Sequence, residues 1–515
     1  MANLFKQSRS KRVKSESSSK RKTSANAQVA GLRFAKQTSK SNMASSLNVA
    51  DDSSTSDRLT SDRSTNSAST TITSADNIKT VTIDSLDWMG QGVVRGNPMY
   101  FVEGALPNEV CEIEEISRKK QVVQGKVTRV VTPSNTRVAP FCPMFNTCGG
   151  CQLQHIDPAT ALEHRDNALK TMMQKQLGMQ DAAWQPPLVG ERPQYRRKAR
   201  LAIDARNPDK VKLGFRAANS NKVVNITACP ILVEPLSALI NPLHEAIEGF
   251  DSAKFIGHIV LMAGDDRAQV TVKHTKNLES SLLDSLADFA KANTVELVLE
   301  DKKGVFRVIH SIGTDGEKTP HKNVPSLTLS TAQTLSITPA PNDFIQINKV
   351  VNQKMIEQAL EWLAPKSDER IADWFSGLGN FTLPIAKTGA QVQAIEGVAD
   401  MVRRAQHNAQ NQGIDNITWL HLDLANQENV HTSLKQGVDK VLLDPSREGA
   451  LTVCHALVKA KPKTIVYVSC NPSTFSRDAK VLIAGGYEIK KAGVAEMFPF
   501  TQHMEMMALF THKQQ

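Results

Sequence analysis

Hydrophobic and polar positions divide the chain into regions of different character. Residues 1–75 show no apolar periodicity, and residues 41–75 are about half Ser and Thr. Such a stretch buries too little apolar surface to offset its conformational entropy, so we predict that residues 1–75 are disordered. Residues 76–135 contain short alternating runs broken by Gly, Asn and Pro. This pattern predicts a small, OB-like β-barrel.

The remaining two regions differ in how strands and helices alternate. Residues 136–340 mix helical and strand patterns and predict a mixed α+β middle domain. Residues 341–515 alternate buried strand runs with amphipathic helices. That alternation predicts a parallel-sheet α/β domain of the Rossmann-like kind.

Charge is distributed unevenly along the chain. The first 40 residues hold eleven Lys or Arg residues and one acid, which accounts for the whole formal net charge of +10. Such a tail could attract phosphates, act as a nuclear-import signal or only improve solubility. No apolar run is long enough to span a bilayer, and the N-terminus lacks a secretory pattern. We therefore expect a soluble, cytoplasmic protein.

A glycine turn opens the C-terminal region. The segment "ADWFSGLGNFTLP" reads as a strand, a turn at Gly377 and Gly379, and a helix. Glycines allow the backbone to turn tightly under a ligand at the carboxyl end of the strand. Thr382 stands where the dinucleotide fingerprint has its third glycine, which counts against NAD.

Carboxylates follow this turn at three successive strand ends. Glu396 ends the second predicted strand, Asp423 the third and Asp444 the fourth. Each acid alone could be a helix cap or a solvated loop residue. Because parallel strands end at one edge of a sheet, the set indicates a ligand crevice.

Cys470 lies at the exit of the apolar run "TIVYVSCNP". A free cysteine is usually a small buried side chain. A thiol beside a ligand crevice, however, can be partly exposed and activated as a nucleophile. Cys111 and Cys454 are expected to be structural residues.

Four other cysteines are spaced for a metal. Cys142, Cys148 and Cys151 form C-x5-C-x2-C, and Cys229 follows 78 residues later. Four thiolates can hold either zinc or an iron–sulfur cluster, and spacing alone leaves both open beside unligated core thiols.

A basic stretch lies beyond the first three cysteines. Residues 192–222 contain ten Lys or Arg residues, and "RRKARLAID" alternates basic with apolar positions. The alternation would place charge on one strand face, where it could follow RNA phosphates, or simply be solvated.

The motifs "DWFSGLGNFTLP", "DPSREG", "VSCNPSTFSRD" and "FPFTQHMEMM" resemble those of the S-adenosylmethionine-dependent RNA (uracil-C5)-methyltransferases. The resemblance implies that Cys470 is the nucleophile that adds to C6 of uracil and that Glu505 is the base that removes the C5 proton. It also implies a set of residues at or beside S-adenosylmethionine: Gln346, Phe375, Asn380, Glu396, Asp423 and Asp444.

The resemblance also bears on the other regions. It implies a [4Fe-4S] cluster on Cys142, Cys148, Cys151 and Cys229, and residues 76–135 are similar to a TRAM domain. Barrel, cluster and methyltransferase domain together resemble the members of the family that act on 23S rRNA. The expected partner is therefore 23S rRNA, with the target uridine unstacked and flipped from a loop, and neither a membrane nor a protein partner is implied. Another uridine, in tRNA or rRNA, and a non-catalytic RNA-binding factor are the alternatives.

Overall fold

The computed structural model describes residues 78–312, 327–332 and 334–513, so the predicted disordered tail lies outside the described residues. The first region forms one six-stranded sheet with the order β1-β5-β6-β4-β3-β2. Its strands are β1 (Ile78–Thr82), β2 (Ser85–Leu86), β3 (Gly92–Val94), β4 (Met99–Glu103), β5 (Val110–Lys119) and β6 (Val122–Thr132).

This sheet is curled. Strands β1 and β2 form its two edges, yet only residues 83–84 separate them in the chain. Three residue steps span at most about 11 Å, so the edges must approach each other. The enclosed side chains include Val102, Ile113 and the predicted structural Cys111, all fully buried.

A long helix, α1 (Pro158–Leu177), follows the first sheet. The Asp157 carboxylate caps it by accepting from Thr160 N at 2.9 Å, and the helix ends at Gly178 in the left-handed conformation. Although α1 falls within the predicted middle domain, its apolar face shares a core cluster with the C-terminal domain.

The middle region forms a seven-stranded mixed sheet with the order β13-β12-β11-β10-β7-β8-β9. Its strands are β7 (Lys198–Asp204), β8 (Lys212–Arg216), β9 (Val223–Asn225), β10 (Ile256–Ala263), β11 (Ala268–His274), β12 (Glu296–Glu300) and β13 (Phe306–His310). Helices α2 (Glu234–Ser237), α3 (Ile240–Glu245) and α4 (Ser280–Ala292) accompany them, and a two-stranded pair follows, β14 (Leu329–Ser330) and β15 (Ser336–Ile337).

The C-terminal region is the predicted α/β domain, with strand order β18-β17-β16-β19-β20-β22-β21. Its strands are β16 (Arg370–Trp374), β17 (Gln391–Glu396), β18 (Ile417–His421), β19 (Lys440–Leu443), β20 (Thr464–Ser469), β21 (Tyr487–Ala495) and β22 (Glu505–His512). Its helices are α5 (Lys349–Leu363), α6 (Thr382–Lys387), α7 (Ala399–Gln410), α8 (Gln427–Ser433), α9 (Leu451–Ala460) and α10 (Pro472–Ala484).

Strands β16 to β20 run parallel, whereas β22 is antiparallel to both of its neighbours. The central strands are buried along almost their whole length, as expected for a parallel sheet covered on both faces. Chain order reverses between β16 and β19, which is the switch point where open α/β sheets form a ligand crevice. Within the described residues, no helix is both long and apolar enough to cross a bilayer.

Candidate active site

The turn after β16 forms the floor of the crevice. Phe375, Gly377 and Gly379 all have positive φ angles, of 68°, 57° and 91°. A Cβ at Gly379 would lie 3.2 Å from the Trp419 ring and 3.3 Å from Leu383. Glycine is therefore required there both for its backbone conformation and for space.

Glu396 ends β17, as predicted, and supports this turn. Its carboxylate accepts from Gly377 N at 3.1 Å and from Val398 N at 2.9 Å. Burial raises its pKa, and these backbone donors oppose the rise. One lone pair or more on each oxygen remains for a hydroxyl donor.

The other expected cofactor residues differ in how enclosed they are. Gln346 is buried, and its Oε1 atom has no hydrogen-bond partner among the described residues. Asn380 forms a reciprocal amide pair with Asn352, at 2.9 Å in each direction. Asp423 is exposed two residues beyond β18 and accepts from Ala425 N at 2.9 Å. Gln346 is thus the one with an unsatisfied buried acceptor.

Cys470 and Glu505 are brought together by neighbouring strands. β20 and β22 pair antiparallel, and their last pair is Ser469 with Met506. The next residue on β20 is Cys470 and the preceding residue on β22 is Glu505, so the two stand opposite each other at the carboxyl end of β20. Asp444 directly follows β19, the other neighbour of β20.

The thiol lies in an acidic environment. Burial raises the pKa of Cys470 to about 11, and the charges of Glu505 and Asp444 add to the effect while Arg447 opposes it. Burial also raises the pKa of Glu505 to about 7, again opposed by Arg447. At neutral pH Cys470 is therefore protonated, as a thiol, and Glu505 is close to half ionised.

Two more acids share the crevice. Burial, with the charges of Glu505 and Asp373, raises the pKa of Asp444 well above its ordinary value. Burial raises the pKa of Asp373 to about 7, although the Thr382 hydroxyl donates to it. A cationic ligand would favour the ionised form of both carboxyls. S-adenosylmethionine carries such a charge, so the residues present fit it.

Arg447 lies close enough to Cys470 and Glu505 for its charge to act on both. Its backbone oxygen accepts from Asn471 Nδ2 at 3.0 Å and from Thr474 Oγ1 at 3.1 Å. Its guanidinium lies 3.2 Å from the His503 ring. Burial and the neighbouring arginines lower the pKa of His503 to about 4, so the ring is neutral. A neutral partner leaves the Arg447 charge available to a substrate.

The four predicted cluster cysteines occupy two loops of the middle region. None is in a disulfide. Burial raises the pKa of Cys151 to about 12, with contributions from the charges of Cys229, Cys148 and Cys142. The thiols therefore lie within electrostatic range of one another, and four thiols are a suitable donor set for a cluster. Within the described ranges, no group of three or more His, Cys, Asp or Glu side chains has metal-binding geometry.

The predicted basic strand face is only partly available. Arg197 is buried and donates to Gln346 O at 3.0 Å, and Lys198 donates to Asp343 O at 2.6 Å. Arg192 forms an ion pair with Glu496. Arg200 remains exposed, 3.1 Å from the Nδ1 atom of His258. Arg197 and Lys198 therefore join the middle and C-terminal regions, because cations withdrawn from water need internal acceptors.

Sequence reasoning missed Asp373, His503 and Arg165. Asp373 lies in the "ADWFSGLG" motif, where an acid inside a buried strand was an available signal. Arg165, on α1, is almost fully buried and donates to the carbonyl oxygens of Trp88, Gln502 and His503. No sequence signal marked it, because its partners are remote along the chain.

The chain is similar to known RNA methyltransferases. Residues 321–513 match the family model described as tRNA (Uracil-5-)-methyltransferase. A 23S rRNA (uracil(1939)-C(5))-methyltransferase RlmD of Alteromonas mediterranea is 62% identical over 521 residues, covering 100% of both chains. The RlmD of Shewanella baltica is 39% identical over 433 residues, which cover 84% of this chain and 95% of that protein.

One solved structure supports the fold. The Pyrococcus abyssi tRNA (uracil-54, C5)-methyltransferase in complex with S-adenosyl-L-homocysteine matches with a TM-score of 0.62 at 22% identity, over 84% of this chain and 100% of that one. The curated relatives and the matching family model place the chain in the class of RNA (uracil-C5)-methyltransferases. Within that class, the chain belongs to the RlmD family of 23S rRNA (uracil(1939)-C(5))-methyltransferases.

Proposed function

We propose that this protein transfers a methyl group from S-adenosylmethionine to C5 of a uridine in 23S rRNA, the substrate named for its relatives. The observation that carries the proposal is the placement of Cys470 opposite Glu505 at the end of β20, beside Asp444. A ribosomal RNA substrate supports a cytoplasmic location.

Uracil C5 is a poor nucleophile until C6 is attacked. As the Cys470 sulfur bonds to C6, the thiol proton passes to solvent, which reaches the partly buried Cys470, and the C5–C6 electron pair moves toward C5 and O4 as an enolate. S-adenosylmethionine, when bound, would supply an electrophilic methyl group to C5 and would leave as S-adenosylhomocysteine. Glu505 then removes the C5 proton, the C5–C6 double bond re-forms, and the C6–S bond breaks to release Cys470. This is covalent catalysis by a sulfur nucleophile.

The pKa of Glu505 suits this role. A base whose pKa lies close to the operating pH combines a useful ionised fraction with a useful driving force. Burial sets the value near 7 and Arg447 keeps it from rising further. Arg447 is also the charge available to orient the uracil ring.

The cofactor-binding residues follow from the crevice. We propose that Gln346, Phe375, Asn380, Glu396, Asp423 and Asp444 hold or border S-adenosylmethionine. Support comes from the unsatisfied Oε1 of Gln346 and from the free lone pairs on Glu396. The Asp423 carboxylate also keeps free lone pairs, whereas Asn380 needs to reorient or share its partner Asn352.

We further propose that Cys142, Cys148, Cys151 and Cys229 hold a [4Fe-4S] cluster, supported by the donor set that four free cysteines supply. Protein purified without oxygen should be brown and contain about four irons per chain. Cys229→Ala should lose the colour, whereas Cys454→Ala, at a buried thiol on α9, should keep it. Stoichiometric zinc in the wild-type protein would contradict the cluster.

We also propose that residues 76–135 are a TRAM-like RNA-binding module, that residues 136–340 add the cluster and an RNA-contacting surface, and that residues 341–515 are the methyltransferase domain. The curled sheet of the first region and the exposed Arg200 support this division. The target uridine must leave its stack to reach Cys470, and a loop makes that least costly.

Substrate choice is tested by methyl transfer. We expect label from S-adenosylmethionine to enter unmodified 23S rRNA and not unmodified tRNA. The matched control is 23S rRNA that already carries the methyl group, which should stay unlabelled. Label in tRNA alone would contradict 23S rRNA as the substrate but would still agree with the proposed methyl-transfer reaction. Label in neither RNA would favour a non-catalytic RNA-binding factor.

A further inference from the structure

The segment between β21 and β22, residues 496–504, leads directly into Glu505. It is held by residues that are remote in the chain. The Tyr195 hydroxyl donates to Pro499 O at 3.0 Å. Arg165 donates to both Gln502 O and His503 O at 3.1 Å. The position of the base therefore depends on contacts from outside its own domain.

The central contact comes from the cysteine loop, residues 141–153. Phe500 O accepts from two successive backbone amides, Gln152 N at 2.9 Å and Leu153 N at 3.0 Å, and these directly follow Cys151. The Phe141 ring, next to Cys142, meets the Phe500 ring edge to face at 5.0 Å. The two loops thus form one hydrogen-bonded and packed unit.

Phe500 itself shows that this contact imposes a conformation. Its φ angle is 65°, in the left-handed region that a bulky side chain rarely adopts. Such a conformation persists only when surrounding contacts hold it. The amides after Cys151 and the Phe141 ring are those contacts.

We propose that the cysteine loop positions Glu505 for removal of the C5 proton, and that the metal ligands Cys142, Cys148 and Cys151 contribute by fixing this loop. Phe141 and Phe500 are positioning residues in this arrangement. The inference rests on the proposed function, because it assigns a step of that reaction.

Loss of the contacts with the cysteine loop should affect one step of the reaction, removal of the C5 proton. Cys470 is carried by β20, and the following Asn471 caps α10 through Ser473 N at 3.1 Å. Glu505 is the first residue of β22, directly after residues 496–504. Loss of the contacts between these residues and the cysteine loop should therefore leave addition to C6 and methyl transfer intact while slowing removal of the C5 proton. The methylated RNA would then stay bonded to Cys470.

The test uses full-length Cys151→Ala and Phe141→Ala with unmodified 23S rRNA and S-adenosylmethionine. The covalent protein–RNA adduct is measured on a denaturing gel, and iron is measured in parallel. Both variants should accumulate about tenfold more adduct than the wild type, since small misplacements of a catalytic group cost that much or more. Phe141→Ala should do so with its iron retained. Val138→Ala, comparably exposed on the same connection, should match the wild type.

Glu505→Gln serves as the benchmark for a trapped adduct. If it traps the adduct but Phe141→Ala and Cys151→Ala do not, whether they turn over normally or not at all, the positioning role is wrong. If Glu505→Gln itself traps none while binding cofactor and RNA, the proposed function fails instead, and the two failures are distinguished.

Discussion

Cys470→Ala is expected to abolish methyl transfer while S-adenosylmethionine binding is retained. The alanine side chain that replaces Cys470 has no sulfur to bond to C6 of uracil, so C5 never becomes nucleophilic. Removing a nucleophile that acts as part of a catalytic unit lowers turnover by roughly 10³-fold or more. Cofactor binding should persist because Cys470 lies at the end of β20, beyond the turn at Gly377 and Gly379. The measurements are labelled methyl transfer and cofactor titration.

Cys454→Ala is the matched control for Cys470→Ala. Cys454 is fully buried on α9, in the core cluster below the sheet, and should tolerate the loss of its sulfur with full turnover. Turnover by Cys470→Ala at the level of this control would contradict the nucleophile assignment. Loss of cofactor binding by Cys470→Ala would instead show a structural defect.

The strand ends could be predicted because they depend on local sequence. Glu396, Asp444 and Cys470 each close an apolar run, and the structure places each of them at or directly after the end of a parallel strand. Parallel strands all end at one edge, so the crevice followed from the pattern. The curled first sheet and the α/β domain followed in the same way.

The pairing of Cys470 with Glu505 could not be predicted from periodicity. It depends on β22 inserting antiparallel between β20 and β21, and alternation alone does not determine strand order or register. Only the resemblance to known methyltransferases suggested Glu505. The burial of Arg197 and the partial burial of Lys198 have a similar cause, since their acceptors are the backbone carbonyls of Gln346 and Asp343.

The boundary of the middle domain shows the same limit. Residues 184–188 extend the C-terminal sheet beside β21, because Gln185 N donates to Ala492 O at 2.7 Å and Leu188 N donates to Val494 O at 2.8 Å. Helix α1 packs in the same core as α9 and α10. The amino-acid composition does not change where α1 and residues 184–188 begin, so nothing in the sequence indicated their contacts with the C-terminal domain.

Glu505→Gln is expected to trap a covalent, methylated RNA adduct. Glutamine keeps the size of the side chain but cannot take the C5 proton, so Cys470 cannot be eliminated. Loss of a general base lowers turnover by about 10²–10⁴-fold. The adduct should appear on a denaturing gel as a protein band carrying both labelled RNA and labelled methyl. Glu488→Gln, at an exposed glutamate on β21, is the matched control and should show no band.

The pH dependence gives a second measurement of the same carboxyl. Burial raises the pKa of Glu505 to about 7, and only the ionised form can accept a proton. Single-turnover release of RNA should therefore be slow below pH 7, rise as the pH passes through 7, and level off above it. Glu505→Gln should lose this rise of the release rate with pH, the ascending limb of the profile, whereas Glu488→Gln should keep it. If Glu505→Gln retains both the limb and normal release, another group removes the proton and Glu505 is not the base.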